Sequence, residues 1–349
     1  MKKFLLISLF IIAIALIGEM GLRFSREISV SNSMAYYPMM SKKGYALNPD
    51  HGVIESKSLH IQYHFYSPHL RDTPIKSNVK SILVLGDSFT FGWLLSWDNT
   101  YVHKLQVKMD QTVGKNKYQF LNAATPAWGT LDQLLYLEEF GERISPAVVL
   151  VFINTDDIGR SIRRDIYKIP EFDLLPMIES YRPIKALFRS LAYDNWIYQH
   201  SVLLQTMHDF IYEKYQFIFN VKSRYGKVIF PMTNDLVFRD EFAIRYAEDL
   251  FIRMNKWCKE HQATLLVMTT GYNAFYPADS HDPTQIFLNQ AKIFFAKESI
   301  PYLDIGYPFK AAVLGKEMTI SREEHPNDMS ATLIADLSWP WIKQHTSKS

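Results

Sequence analysis

Short apolar runs alternate along this chain with stretches in which apolar residues recur every three or four positions. Ile82, Leu83, Val84 and Leu85 follow a polar, basic stretch and stop at Gly86-Asp87-Ser88. Four aliphatic residues in a row predict a buried strand of a parallel sheet, and the glycine lets the backbone turn sharply at the strand's carboxyl end. Tyr118-Gln119-Phe120-Leu121-Asn122 predicts a second strand, residues 147–153 a third with the strongest apolar run, residues 264–268 a fourth and residues 301–305 the last. Helices are expected between them. Tyr101, Val102, Leu105 and Val107 lie on one stripe within residues 98–109, Leu131, Leu134 and Leu135 on another, and Phe242, Tyr246, Leu250, Met254 and Trp257 on a third. Residues 287–295 and 331–339 complete the set. Strand–helix alternation of this kind implies an α/β fold of three layers, with a mostly parallel central sheet covered by helices on both faces.

The ends of the chain read differently. Lys2 and Lys3 precede an apolar run over residues 4–17 broken only by Ser8, a pattern that keeps the basic end in the cytoplasm and carries the rest across a membrane. The run is shorter than a full span of about 20 residues. The residues after it, Gly18 to Arg23, offer no small-x-small cleavage site. The expectation is an uncleaved anchor over 1–23, with the remainder on the periplasmic or extracellular side. Residues 24–79 show aromatics, prolines and histidines without a sustained period, and predict a linker followed by a short β-rich prelude packed on the main domain. His51, His60, His64 and His69 match no zinc spacing, so neither metal nor cofactor is expected.

Composition adds exclusions. The 349 residues carry a net charge of +2 with both signs interspersed, which gives no basic stripe for nucleic acid. Cys258 is the single cysteine, so a disulfide framework and a cysteine metal cluster are both excluded.

The candidate chemistry lies where the strands end, because ligands of open α/β sheets bind at the carboxyl edge. Ser88 stands there after the first strand. The loop 123–130 before the second helix contains small residues whose backbone N–H groups suit an oxyanion, although an ordinary strand-to-helix turn has the same composition. Asn154-Thr155-Asp156-Asp157 ends the third strand, as a helix cap, a site, or both. His325 falls in the loop before the closing helix, at the same edge.

In this order the features resemble the SGNH (GDSL-type) hydrolases of bacteria, particularly the membrane-anchored members. The shared text is Gly86-Asp87-Ser88-Phe89-Thr90-Phe91-Gly92, Asn99-Thr100-Tyr101, Asn122 with Pro126-Ala127-Trp128-Gly129-Thr130, Pro146, Asp157-Ile158 and Glu324-His325-Pro326-Asn327. Tyr66 to Arg71-Asp72-Thr73-Pro74 also matches, so the likeness covers roughly residues 67–345. It implies a flavodoxin-like three-layer domain over 80–345, Ser88 as nucleophile and first oxyanion donor, and His325 as base. It also implies a second backbone donor at Ala127 or Gly129 and a side-chain donor at Asn154. Two positions depart from the family pattern. Asp156 stands where Asn usually precedes Asp, and Arg322 where the acid that orients the histidine is common, which moves that role to Glu323 in preference to Glu324.

Residues 160–239 are rich in aromatics and predict helices inserted over the active edge, as a substrate wall or a core extension. Asp87, Trp93, Trp128, Asp156 and Asp157 are candidate substrate contacts, the two tryptophans as stacking surfaces or as core. The function implied is a serine esterase acting on acyl esters, O-acetyl groups of an envelope carbohydrate or lipid in particular. Transfer of the acyl group to a sugar hydroxyl, and glycan binding without catalysis on the same fold, are the alternatives.

Overall fold

The computed structural model describes residues 13–21, 39–41, 45–56, 61–154, 156–163, 236–271, 282–314, 316–317, 319 and 325–346, with 203 and 207 singly between them. Its centre is an eight-stranded sheet. In chain order the strands are β1 (Met39–Met40), β2 (Ala46–Leu47), β3 (Gly52–Ser56), β4 (Ile61–Tyr66), β5 (Leu70–Arg71), β6 (Lys80–Leu85), β7 (Tyr118–Asn122), β8 (Val148–Ile153), β9 (Thr264–Thr269) and β10 (Tyr302–Asp304). β1 and β2 form a separate antiparallel pair, and the sheet order is β10-β9-β8-β6-β7-β5-β4-β3. β10, β9, β8, β6 and β7 are parallel, in register such that Ile82 faces Phe120 on one side and Val148 on the other.

Alternation along these strands sorts the core. Leu83, Leu85, Leu121, Val149, Val151, Ile153 and Val267 point to one face, where they meet α3 (Thr130–Ile144), α5 (Leu236–Glu260) and α6 (Pro283–Lys297). Ile82, Val84, Phe120, Leu150, Phe152 and Met268 point to the other, against α2 (Tyr101–Thr112), α7 (Gly306–Ala312) and α8 (Asp328–Thr346). Strands buried on both faces are what continuous aliphatic runs require. The remaining helices are short: α1 (Ser88–Phe91) and α4 (Asp157–Arg163). β6 sends its connection to β7 on one side, and β7 sends its own back across β6 to β8. The strand order therefore reverses between β6 and β8, and the crevice that such a switch point opens lies at their carboxyl ends.

Helix boundaries follow capping more closely than the apolar stripes do. The expected helix at 98–109 begins at Tyr101, because the Thr100 side chain accepts the His103 N–H at 3.2 Å. The closing helix begins at Asp328, because Asn327 Oδ1 accepts the Ser330 N–H at 3.0 Å, and it runs through Pro340 to Thr346.

The prelude is part of the sheet. β5 pairs antiparallel with β7 through Arg71 and Asn122, and β4 and β3 extend the sheet outward. His69 is structural: its Nδ1 lies 2.7 Å from the Asn48 carbonyl and its ring stands edge-on to Phe140, while burial pushes its pKa down. Among the described residues no helix is long and apolar enough to cross a membrane. Residues 13–21 are helical, with Ile14, Leu16, Ile17 and Met20 exposed, and the basic start of the expected anchor lies outside the described residues. The expected insertion at 160–239 lies largely outside them as well.

At the amino end of α6, Asp282 caps the helix by accepting the Thr284 and Gln285 N–H groups at 2.8 and 3.3 Å. Burial, reinforced by the Asp156 carboxylate, raises its pKa to about 6 despite those donors. A carboxyl raised above its unfolded value of 3.8 contributes stability below about pH 4 that is lost as pH rises through about 6. Asn keeps a capping oxygen and does not titrate. Urea denaturation at several pH values is expected to show the wild type losing of order 1–3 kcal/mol relative to Asp282→Asn between about pH 4 and pH 6.5. Parallel curves for the two proteins would contradict this assignment.

Candidate active site

The Gly86-Asp87-Ser88 turn is held by close packing and by hydrogen bonds to the backbone groups of α1. Gly86 is required by close approach, since a Cβ there would stand 2.1 Å from Thr90 Oγ1. Asp87 caps α1, its Oδ1 accepting the Phe89 N–H at 2.9 Å, which places Ser88 at the first helical position. Ser88 is only 8 % exposed. Its carbonyl accepts the Gly92 and Trp93 N–H groups at 3.0 Å each, and the Thr90 carbonyl accepts Asn122 Nδ2 at 2.9 Å.

The carbonyls beyond α1 converge on Arg71. This guanidinium is fully buried. It donates to the carbonyls of Phe91, Gly92 (2.9 Å) and Leu95 (2.7 Å) and to Asp72 Oδ2 (2.8 Å). The Tyr63 and Phe91 rings lie against it, each with its centroid 4.5 Å from the guanidinium carbon. A charge of this kind is tolerated inside a protein only when its donors are matched, and here they are. β4 and β5 thus hold the Ser88 turn from the side. Arg71 was quoted in the sequence only as part of a matching stretch; the signal that could have singled it out is a lone cation between the apolar Leu70 and an acid, at the start of a polar segment.

His325 completes the pair. Its Nε2 lies 3.0 Å from Ser88 Oγ, and its ring packs 5.6 Å from Phe89 and 6.3 Å from Trp93, centroid to centroid. Pro326, bridged to Thr319, and Asn327, which caps α8, anchor the chain directly after His325. Glu323 and Glu324 lie outside the described residues.

The other expected site residues divide into those at the surface of the crevice and those beneath it. Asn154 is buried, its Nδ2 donating to Asp87 Oδ2 at 2.9 Å and its N–H to Asp157 Oδ2 at 2.9 Å. Ala127 is exposed at the tip of the β7–α3 loop with φ 66. Gly129 is not the second donor: its N–H goes to Asp132 Oδ2 at 2.7 Å in the cap of α3. The reason for glycine there is packing, because a Cβ would meet the Asp157 carbonyl at 2.6 Å and the Ser161 N at 2.9 Å. Three expected substrate contacts are also corrected. Trp128 is wholly buried and its indole N–H donates to the Ala46 carbonyl, so no sugar ring reaches it. Asp87 and Asp157 have no exposed surface either. Trp93 is half-buried beside His325, and Asp156, half-buried with φ 73, faces Arg160 Nε at 3.5 Å.

Beneath the crevice lies a buried charge cluster. Arg160 Nη1 donates to Asp87 Oδ2 at 2.9 Å and to the Trp128 carbonyl at 3.0 Å, and stands 3.5 Å from Asp157 Oδ1. Burial, reinforced by Asp87, pushes the Asp157 carboxyl well above its usual range against the pull of Arg160 and the Asn154 N–H. Among the described residues no group of His, Cys, Asp and Glu is placed to hold a metal ion.

No family model matches the sequence, and no curated protein matches it. Solved structures do. The chain is similar to TesA at 14 % identity over 76 % of its length and 99 % of that chain, with a TM-score of 0.44. It is similar to the psychrotrophic esterase EstA from Pseudoalteromonas sp. at 14 % identity over 77 % and 99 %, TM-score 0.44. It is similar to a member of the lipolytic protein G-D-S-L family from Veillonella parvula at 12 % identity over 75 % and 97 %, TM-score 0.41.

Two substitutions test the supports. Arg71→Lys keeps the charge but not the planar fork, leaving buried carbonyls without donors. It is expected to cost about 3 kcal/mol or more, read as a lower urea midpoint. Gly129→Ala forces α3 and α4 apart and is expected to cost about 1–3 kcal/mol in the same measurement. Unchanged midpoints would refute these roles.

Proposed function

We propose that this chain is a serine esterase that works through an acyl-serine intermediate. The observation that carries the proposal is Ser88 Oγ within 3.0 Å of His325 Nε2 at the sheet's switch point. A hydroxyl is a weak nucleophile until a base within hydrogen-bond reach takes its proton. With the ring proton on Nδ1, Nε2 accepts the Ser88 proton as Oγ bonds to the ester carbonyl carbon. The oxyanion formed is held by the Ser88 and Ala127 backbone N–H groups with the Asn154 amide. Collapse breaks the ester C–O bond, and the leaving alkoxide takes the proton from His325. Water then repeats the sequence on the acyl-serine, its proton passing to His325 and finally back to Ser88 as the acid leaves.

In this proposal the orienting acid is Glu323, and the half-buried Trp93 forms the wall beside the leaving group. The substrates are small acyl esters, O-acetyl groups on an envelope carbohydrate or lipid. The Lys2-Lys3 start, the apolar run after it and the exposed Ile14, Leu16, Ile17 and Met20 support a membrane tether with the catalytic domain outside the cytoplasm.

Ser88→Ala is expected to abolish p-nitrophenyl acetate hydrolysis and labelling by a serine-directed phosphonate, and His325→Ala to lower kcat by about 10³-fold or more. Turnover that survives Ser88→Ala would overturn the proposal. Alkaline carbonate extraction of membranes, followed by protease protection, tests the tether and its orientation.

A further inference from the structure

The esterase reading uses Ser88, His325 and the donors around the oxyanion, and leaves Arg160 unexplained. Its position is unusual. The three loops that carry the oxyanion donors follow three different strands, and Arg160 from α4 reaches all of them. It binds Asp87 Oδ2 behind the Ser88 turn at 2.9 Å and the Trp128 carbonyl in the β7–α3 loop at 3.0 Å. It faces Asp156 and Asp157 after β8 at 3.5 Å each.

Each contact acts on a donor. Asp87 Oδ2 accepts Arg160 Nη1 and Asn154 Nδ2 together, so the oxygen that orients the Asn154 amide is itself held by the guanidinium. The Trp128–Gly129 peptide is gripped at both ends, its carbonyl by Arg160 and its N–H by Asp132 Oδ2 at 2.7 Å. That peptide lies two units beyond the one that carries the Ala127 N–H, and with the Trp128 N–H bonded to the Thr125 carbonyl at 3.2 Å it anchors the carboxyl side of the loop tip. Charge matters as well, because the half-buried Asp156 follows Asn154 by two residues and faces Arg160 Nε at 3.5 Å. A carboxylate there opposes the transition state unless it is compensated. Asp156 occupies the position where the resemblance leads one to expect an amide, and Arg160 lies one helical turn on, on the same face.

We propose that Arg160 is a positioning residue for the oxyanion side of the reaction: it locks the Asn154 and Ala127 donors in place and compensates the carboxylate of Asp156. The proposal rests on the esterase reading. Preorganised donors stabilise developing charge without reorganising, so loosening them lowers kcat more than it weakens ground-state binding.

The experiment uses the full chain with p-nitrophenyl acetate as substrate and a serine-directed phosphonate to count competent Ser88 sites. Arg160→Gln is expected to lower kcat per titrated site by about 10- to 100-fold, with KM within about twofold of the wild type. Arg160→Lys is expected to recover part of this, because an ammonium keeps the charge but cannot span the loops as a fork does. Adding Asp156→Asn to Arg160→Gln is expected to restore kcat several-fold, roughly the effect of removing one uncompensated charge. A kcat per titrated site equal to the wild type in Arg160→Gln, with loss only in the number of sites, overturns the proposal. So does a double variant no faster than Arg160→Gln. If Arg160→Gln does not fold, Arg160→Lys decides alone: a several-fold drop in kcat per site supports the proposal, and an unchanged value overturns it. Absence of Ser88-dependent turnover in the wild type is a separate result, which removes the esterase reading before Arg160 is tested.

Discussion

Parallel strands that end at a switch point release backbone groups that no neighbouring strand can pair, and the architecture around Ser88 follows from where those groups find partners. A buried amide or carbonyl left unmatched costs about 1–3 kcal/mol, so a turn as tight as α1 needs side chains brought to it from outside. Arg71 answers for the Phe91, Gly92 and Leu95 carbonyls, Asn122 for Thr90, and Asp87 for the Phe89 N–H. Because Arg71 belongs to β5 and Asn122 to β7, the β5–β7 pairing that joins the prelude to the sheet also fixes the Ser88 turn. The antiparallel strands are a bracket for the site as much as a sheet extension.

The same bracket extends to the loop after β7. Asn48 donates to the Ala124 carbonyl at 3.0 Å, and the Trp128 indole is pinned to the Ala46 carbonyl next to Tyr45. Residues 45–48 and α4 therefore hold this loop from opposite sides, one through apolar burial and neutral hydrogen bonds, the other through Arg160. Dispersion and desolvation set the position of the indole. The charge cluster sets the direction of the peptide groups.

Much of this was legible in the sequence and some was not, for identifiable reasons. β6 and β8 show most clearly because a strand buried on both faces needs an unbroken apolar run, and Ile82–Leu85 and Val148–Ile153 have one. β3 and β4 are legible only as a β-rich prelude without bounds, because their pattern is mixed: in β4, His64 and Tyr66 alternate with the buried Tyr63 and Phe65. Ser88 and His325 stand out because the strand order puts both at one edge. The sequence leaves Ala127 and Gly129 as equal candidates for the second donor because a glycine in a loop before a helix serves close packing as readily as an oxyanion, and the Asp157 carbonyl, Ser161 and Asp132 around Gly129 distinguish the two. Trp128 reads equally as a stacking surface or core until its N–H is seen to be spent on Ala46. Arg71 gives little sign in the sequence because three of its partners are backbone carbonyls, and Arg160 because Asp87 and the Trp128 carbonyl, which give it its place, lie far from it along the chain.

The departure at Asp156 has a physical explanation in this cluster. A carboxylate where an amide would sit adds a negative charge to this edge of the sheet, and a cation beside it offsets that charge. The i,i+3 and i,i+4 spacing from Asp157 and Asp156 to Arg160 puts the compensating cation on the same turn of helix, with its fork free to reach the Trp128 carbonyl and Asp87 as well. Asn154, two residues earlier at the end of β8, then carries the amide, oriented by Asp87 rather than by its place in a motif. In the proposed mechanism Asn154 is the donor, Asp156 stands where the resemblance implies an amide, and Arg160 lies 3.5 Å from that carboxylate to compensate it.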